Sequence, residues 1–151
     1  MSRSGHTIAI RPLEARDRAA WDEMWAGYLV FYEADLAPGI SDDTFARLLS
    51  GALIGLVAVD GGDAPLGFAH ALLHAGTWSP KPLCYLEDLY VREEARGRGV
   101  GRALIEALAA RGRREGWLRL YWQTARDNAA AQALYDKLAE RTNWLRYDLD
   151  L

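Results

Sequence analysis

Hydrophobic positions recur along this chain with two periods, two and about 3.6 residues, and the switches between them lay out its elements. Residues 7–11 alternate polar and apolar and stop at Pro12, the pattern of a short strand. Trp21, Trp25, Tyr28, Leu29 and Tyr32 fall at helical steps on one stripe, with Asp17 as the candidate cap. After a turn at 37–40, Ser41 is placed to cap a short second helix whose apolar face is Phe45, Leu48 and Leu49. Residues 55–59 read as a buried strand, 60–63 (Asp-Gly-Gly-Asp) as a hairpin turn and 66–74 as the returning strand. A loop over 76–82 carries Trp78, and 83–91 is the next strand. A helix is predicted over 99–115, with a stripe of Val100, Ala103, Leu104, Ala107 and Leu108 and an end at Gly116. Residues 118–124 read as strand. Asn128 opens a helix with Ala131, Leu134, Tyr135 and Leu138 on one face, and 144–149 reads as a last strand. Hairpins come first and β-α-β crossovers last. The order predicts an α/β fold with a mixed central sheet and helices on both faces, not a doubly wound parallel sheet.

Composition narrows the class. The 151 residues suit one domain over 1–151, large enough to bury a core without staples. A lone cysteine, Cys84, excludes an intrachain disulfide and any Cys-rich zinc module, and His6, His70 and His74 form no metal-ligand spacing, so no metal is expected. No apolar run approaches 18 residues and no apolar leader opens the chain, so no membrane association and a cytoplasmic location are expected. The net charge of −3 argues against general nucleic-acid binding. Charge is uneven, however: residues 92–119 hold eight basic and four acidic residues, whereas 1–91 hold six basic and twelve acidic. A solvated helix face is the commonest cause of such a block.

The sharpest local feature lies in that block. Arg96-Gly97-Arg98-Gly99-Val100-Gly101-Arg102 joins a predicted strand to a predicted helix. Close glycines let backbone N–H groups converge on an anion, the helix N-terminus adds its dipole, and arginines supply bidentate donors for phosphate oxygens. A Walker A loop fails because Gly101 is followed by Arg102-Ala103. The dinucleotide fingerprint fails because Arg102 and Leu104 stand where its third glycine is needed. What remains is Arg-x-x-Gly-x-Gly.

That pattern resembles the pyrophosphate-binding signature of the GNAT superfamily of acetyl-CoA-dependent N-acetyltransferases. The likeness extends beyond the loop. Residues 85–91 (Tyr-Leu-Glu-Asp-Leu-Tyr-Val) look like the family's fourth strand, and Asn128, Ala131, Leu134 and Tyr135 match its N-x-x-A-x-x-L-Y helix. Within the family the chain is most similar to the subgroup of the yeast histone and polyamine acetyltransferases. Tyr28 to Tyr32 with Glu33, the Thr77-Trp78 loop, the 86–91 strand and Tyr121-Trp122-Gln123-Thr124 carry that likeness. One departure is Ala139, standing where the family usually has glycine, so the bend before a C-terminal hairpin is expected at Asn143.

The resemblance implies roles. The fold would be the GNAT fold with a splayed sheet, and acetyl-CoA the cofactor. The backbone of Leu89, Tyr90 and Val91 would meet the pantetheine arm and offer an N–H to the oxyanion. Arg96, Gly97, Arg98, Gly99, Val100, Gly101 and Arg102 would hold the phosphates, with Asn128 and Ala131 beside the arm. An alkylamine nucleophile has a pKa of about 10.4 and must lose a proton. Glu87 is the candidate base, through water, against a structural carboxylate as the alternative. Tyr135 is the candidate acid for the leaving thiolate, against a core aromatic. Asp88 falls on the opposite strand face by alternation, which suits a structural role unless a bulge intervenes. Tyr28, Tyr32, Glu33, Trp78 and Asp88 are the acceptor-site candidates, since carboxylates beside aromatics suit a cation. His70 and His74 share a strand face and could line that pocket; Cys84 reads as a buried thiol.

The function expected is transfer of acetyl from acetyl-CoA to a small polyamine-like or amino-acid-like amine by direct attack in a ternary complex, by a homodimer on resemblance. The alternatives are a protein lysine or N-terminal acetyltransferase, a non-catalytic coenzyme A-binding module, and a nucleic-acid-binding module using the basic block.

Overall fold

Five strands pair in chain order in one sheet: β1 (Ala9–Pro12), β2 (Ile54–Val59), β3 (Pro65–His74), β4 (Leu83–Val91) and β5 (Arg119–Tyr121). This is a computed structural model, and it describes residues 7–151. The reading of the chain's first residues and the place of His6 lie outside that range. The first three pairings are antiparallel and β4–β5 is parallel, the mixed sheet expected from hairpins followed by a crossover. Helices α1 (Arg18–Phe31) and α2 (Ile40–Ser50) cover one face, α3 (Val100–Glu115) the other, and α4 (Ala129–Leu138) follows β5.

Strand alternation divides the core. Ile54, Leu56 and Ala58 of β2 face Leu104, Ile105 and Leu108 of α3, while Val57 and Val59 face Trp21, Met24 and Trp25 of α1 and Phe45 and Leu48 of α2. The α3 stripe differs from the expected one by including Ile105, and Leu49 of α2 points outward.

Both expected caps are replaced by tertiary partners. Asp17 does not cap α1. It closes a 3-10 turn over Ala15–Asp17 by accepting from the Glu14 N–H at 2.8 Å and from Arg11. Ser41 lies inside α2, whose N-cap is the left-handed Gly39, and its hydroxyl accepts from Trp25 Nε1 at 3.1 Å. β5 is shorter than residues 118–124, and no strand forms over 144–149. The chain leaves α4 at an extended Ala139 (φ −149°) with no hairpin at Asn143, and Trp144, Leu145, Tyr147 and Leu149 are exposed. The alternating pattern there is strand-like, but no sheet edge of this copy receives it. Among the described residues no helix is long and apolar enough to cross a membrane.

Candidate active site

A β-bulge builds the centre of the site. His70 pairs with Asp88 across β3 and β4, but Ala71 pairs with Leu86, so Glu87 is an extra residue. The bulge resets alternation. Cys84 and Leu86 face α3, as do Leu89 and Val91, while Asp88 turns to the α1 side with His70. Asp88 therefore does not lie across the sheet from Glu87 as simple alternation predicts. Both carboxylates line one cavity of about 470 Å³ with Trp25, Thr44, Arg47 and His70, a volume suited to a small ligand.

The two carboxyl groups have different surroundings. Asp88 Oδ2 lies 2.9 Å from His70 Nδ1, and the Tyr28 phenol feels its charge. Burial, then the adjacent Asp88, holds the Tyr28 phenol well above its ordinary range. Glu87 has no hydrogen-bonded side chain among the described residues, and burial followed by the Asp88 charge raises its pKa above 4.5. His70, Arg47 and Arg146 act in the opposite direction.

The helical stripe of α1 forms a ladder leading outward from this cavity. Trp21 stacks on Trp25 (5.5 Å), Trp25 on Tyr28 (5.4 Å), and Tyr28 meets Tyr32 (4.8 Å). Trp21 is fully buried and Tyr32 is exposed. Glu33 closes the helix in a left-handed conformation (φ 52°), where glycine is usual. Its N–H bonds Val30 O, and Ala34 N bonds Leu29 O. Of the acceptor candidates, then, Asp88 lines the cavity, Tyr28 stacks on the cavity residue Trp25, and Tyr32 and Glu33 stand at the end of the ladder. Trp78, on the β3–β4 loop, is 91% exposed and does not line the cavity. His74 bonds Ala75 O and Tyr121 Oη instead of the cavity. Cys84 is buried and its thiol is pushed up to about 11 by desolvation, an unreactive thiol.

A second opening lies on the other edge of β4. Parallel pairing with β5 covers only Leu83 to Tyr85, after which the strands part and leave the Leu86–Val91 backbone edge without a described strand beside it. The glycine loop sits at the end of this cleft. Gly97 and Gly99 have φ of 78° and 81°, and a Cβ on either would project into open space. Gly99 supplies no capping side chain, so the first-turn N–H groups of α3 have no side-chain acceptor there. A clear left-handed loop before a 16-residue helix fits a phosphate group. Arg96 donates to Val91 O, Arg102 pairs with Glu106 and Arg92 with Glu23. The Ala103 N–H donates to Gly99 O at 3.0 Å and closes the first turn of α3.

Across the cleft, Asn128 caps α4 by accepting from Ala131 N at 3.2 Å. Tyr135 stands one turn further on, edge-on to Trp122 (5.5 Å) and half-buried. Burial, then Tyr32, raises its phenol pKa. A phenol so placed stays protonated at neutral pH.

His70 lines the cavity, as one of the two readings for it had it, but sequence reasoning missed its pairing with Trp21 and Asp88 and the places of Trp25, Thr44 and Arg47. The His70–Asp88 pairing depends on strand register, which no local pattern reports.

Comparison with known proteins agrees with this architecture. The acetyltransferase (GNAT) family profile matches residues 17–139. The chain is similar to the D-amino-acid N-acetyltransferase HPA3 of Saccharomyces cerevisiae, 39% identical over 144 residues that span 93% of this chain and 89% of that protein. It is similar to a thialysine N-epsilon-acetyltransferase of Caenorhabditis elegans, 33% identical over 94 residues that span 59% of this chain and 58% of the relative. Among solved structures, one described as a probable acetyltransferase superposes with a TM-score of 0.81 at 25% identity, covering 96% of this chain and 97% of that one.

Proposed function

The chain belongs to the acetyltransferase (GNAT) family, and from that premise we propose that it moves the acetyl group of acetyl-CoA onto a small primary amine, with Glu87 as base and Tyr135 as acid. The carrying observation is the bulge that sets two carboxylates on one cavity beside the free edge of β4.

Acetyl-CoA, the donor substrate, supplies an acetyl thioester. The cleft fits it: Gly97, Gly99 and the α3 N-terminus would take the phosphates, with Arg96, Arg98 and Arg102 nearby. The β4 edge from Leu89 to Val91 would pair with the pantetheine arm, beside Asn128 and Ala131. The acceptor enters as an ammonium, and Glu87 takes its proton through water. The freed nitrogen attacks the thioester carbon, the adduct nitrogen gives its second proton to solvent water, the C–S bond breaks, and Tyr135 passes its proton to the departing thiolate, while Glu87 returns its proton to solvent. The products are an amide and coenzyme A, and Tyr135 regains a proton from solvent. A carboxylate whose pKa is raised by burial is a stronger base than an ordinary one.

The relatives named for D-amino acids and thialysine favour a small acceptor, and the cavity lined by Glu87, Asp88, Arg47 and His70 has a size suited to one. The test is acetyl-CoA turnover over polyamines, D- and L-amino acids, thialysine, aminoglycosides and histone-tail peptides. Fastest turnover on a small amine is expected. Turnover confined to peptides overturns the small-acceptor reading.

We also propose a homodimer. The apolar C-terminal segment and the open β5 edge support it.

A further inference from the structure

One buried titratable side chain has no part in the chemistry so far. His70 is 3% exposed, and its neighbours decide which of its nitrogens bears the proton. Trp21 Nε1 lies 3.0 Å from His70 Nε2. An indole N–H can only donate, so Nε2 accepts and the imidazole proton sits on Nδ1. Nδ1 faces Asp88 Oδ2 at 2.9 Å, so that proton is donated to the carboxylate. A hydroxyl or a water at Trp21's place could reverse its role; an indole cannot. The ring is also held mechanically. It stacks on Phe68 at 4.3 Å and 18°, with Trp25 and Trp21 at 5.3 Å and 5.9 Å. Turning it over requires opening the core between α1 and β3.

The consequence falls on the carboxylate pair. Asp88 is held by the His70 Nδ1–H, whereas no side chain among the described residues donates to Glu87. That bond gives the Asp88 carboxylate a fixed orientation in the cavity, which Glu87 lacks. The division of labour between adjacent carboxylates is thus set from the core.

We propose that His70 is a positioning residue for the acceptor: Trp21 locks it as the Nδ1–H tautomer, and its Nδ1–H fixes the orientation of the Asp88 carboxylate that anchors the acceptor's ammonium beside Glu87. This rests on the reading of Glu87 as the proton acceptor. The charged and titratable groups facing the pair are Tyr28 of α1, Arg47 of α2, His70 of β3 and Arg146 of the C-terminal segment.

Two measurements test it. In the unmodified protein, long-range proton–nitrogen NMR of the histidine side chains is expected to show His70 with Nδ1 protonated and Nε2 bare. An Nε2–H tautomer, or a mixture, overturns the proposal without any variant having to fold. The second measurement compares His70→Asn, whose amide N–H can occupy the place of Nδ1–H, with His70→Leu, which has no donor. The probes are acetyl-CoA with a D-amino acid and with thialysine. His70→Leu is expected to raise the acceptor KM about tenfold or more while kcat stays within about threefold. His70→Asn is expected to recover most of that loss. Equal KM values in the two folded variants, or a loss confined to kcat, overturn it. A Glu87→Gln enzyme with unchanged turnover would instead remove the base assignment, a result the tautomer measurement does not share.

Discussion

Arg11 holds Asp17 through two parallel hydrogen bonds, Nη1 to Oδ2 and Nη2 to Oδ1, both 2.8 Å. The pair ties β1 to the start of α1, and Arg11 Nε also reaches Asp63 in the β2–β3 turn at 3.0 Å. Arg11's hydrogen bonds, then the Glu14 N–H, hold the Asp17 carboxyl below its usual 3.8 against its burial. A depressed folded pKa means that the stabilisation is complete above the unfolded value and is lost as pH falls through the folded one. Asp17→Asn should therefore lower stability by about 2–3 kcal/mol near neutrality, less than for a fully buried pair because Arg11 keeps Asp63. Thermal melts from neutral to acid pH should show the gap between variant and parent closing below about pH 4. A gap independent of pH would refute the assignment.

Glu87→Gln should lower kcat by about 100-fold to 1,000-fold with the fold intact. The acid limb of the kcat/KM profile should lie above the ordinary carboxyl value of 4.5, because burial and then Asp88 raise Glu87. Asp88→Asn removes the neighbouring charge and should move that limb to lower pH. A raised folded pKa also means that the group's contribution to stability is present below the unfolded value and lost as pH rises through the folded one. Glu87→Gln should thus melt slightly higher than the parent at neutral pH while being nearly inactive. An unchanged limb in Asp88→Asn would separate the two carboxylates.

The strand that carries these groups was legible; their arrangement on it was not. The pattern over 83–91 coincides with β4, and Tyr135 is on the expected face of α4. Alternation placed Asp88 wrongly because it assumes an unbroken pleat, and the bulge at Glu87 arises from pairing with β3, more than a dozen residues away in sequence. Asp17 and Ser41 failed as caps for a related reason. Each has local capping chemistry, but Arg11 and Trp25 offer stronger partners once the chain has folded. The glycine loop was legible because positive φ is a local demand that Gly97 and Gly99 meet by themselves.

Tyr135→Phe should lower kcat about tenfold to 100-fold while leaving coenzyme A affinity within about twofold, since the phenol's proton is used only as the thiolate departs. Burial keeps that phenol above its usual value of 10. The basic limb of the parent profile should therefore not report Tyr135 below that pH. Calorimetric binding of coenzyme A alongside steady-state rates checks both statements. Loss of affinity matching the loss of rate would make Tyr135 a core aromatic only.

Gly99→Ala should weaken acetyl-CoA binding more than it weakens the fold. The position has φ 81° with no heavy atom within 4 Å of the added methyl, so strain of about 1 kcal/mol is its whole structural penalty. Gly101→Ala is the control inside α3, where a Cβ meets Val91, Leu134 and Leu89 at ordinary contact distances of 3.7–3.8 Å. If both variants change the acetyl-CoA KM only in proportion to stability, the loop does not hold phosphate.

Residues 145–151 alternate Leu145, Tyr147, Leu149 and Leu151 with Arg146, Asp148 and Asp150, yet in one copy of the chain they pair with nothing in the sheet. Tyr147 and Leu149 are 89% and 85% exposed, alongside Trp144 at 85%. Soluble chains seldom leave such a contiguous apolar segment uncovered. β5 offers an open edge for it, and a second copy supplies both the edge and the segment in a closed, two-fold arrangement. Light scattering should give a dimer for the full chain and a monomer after removal of residues 144–151. Tyr147→Asp with Leu149→Asp should dissociate the dimer without shortening the chain. Arg146 bears on the chemistry as well, because its charge opposes the upward shift of Glu87. Truncation should therefore move the acid limb of the rate profile to higher pH, whereas the double Asp variant, which keeps Arg146, should move it less. A full-length chain that scatters as a monomer at all concentrations would remove the dimer, and an unmoved limb would remove Arg146 from the site.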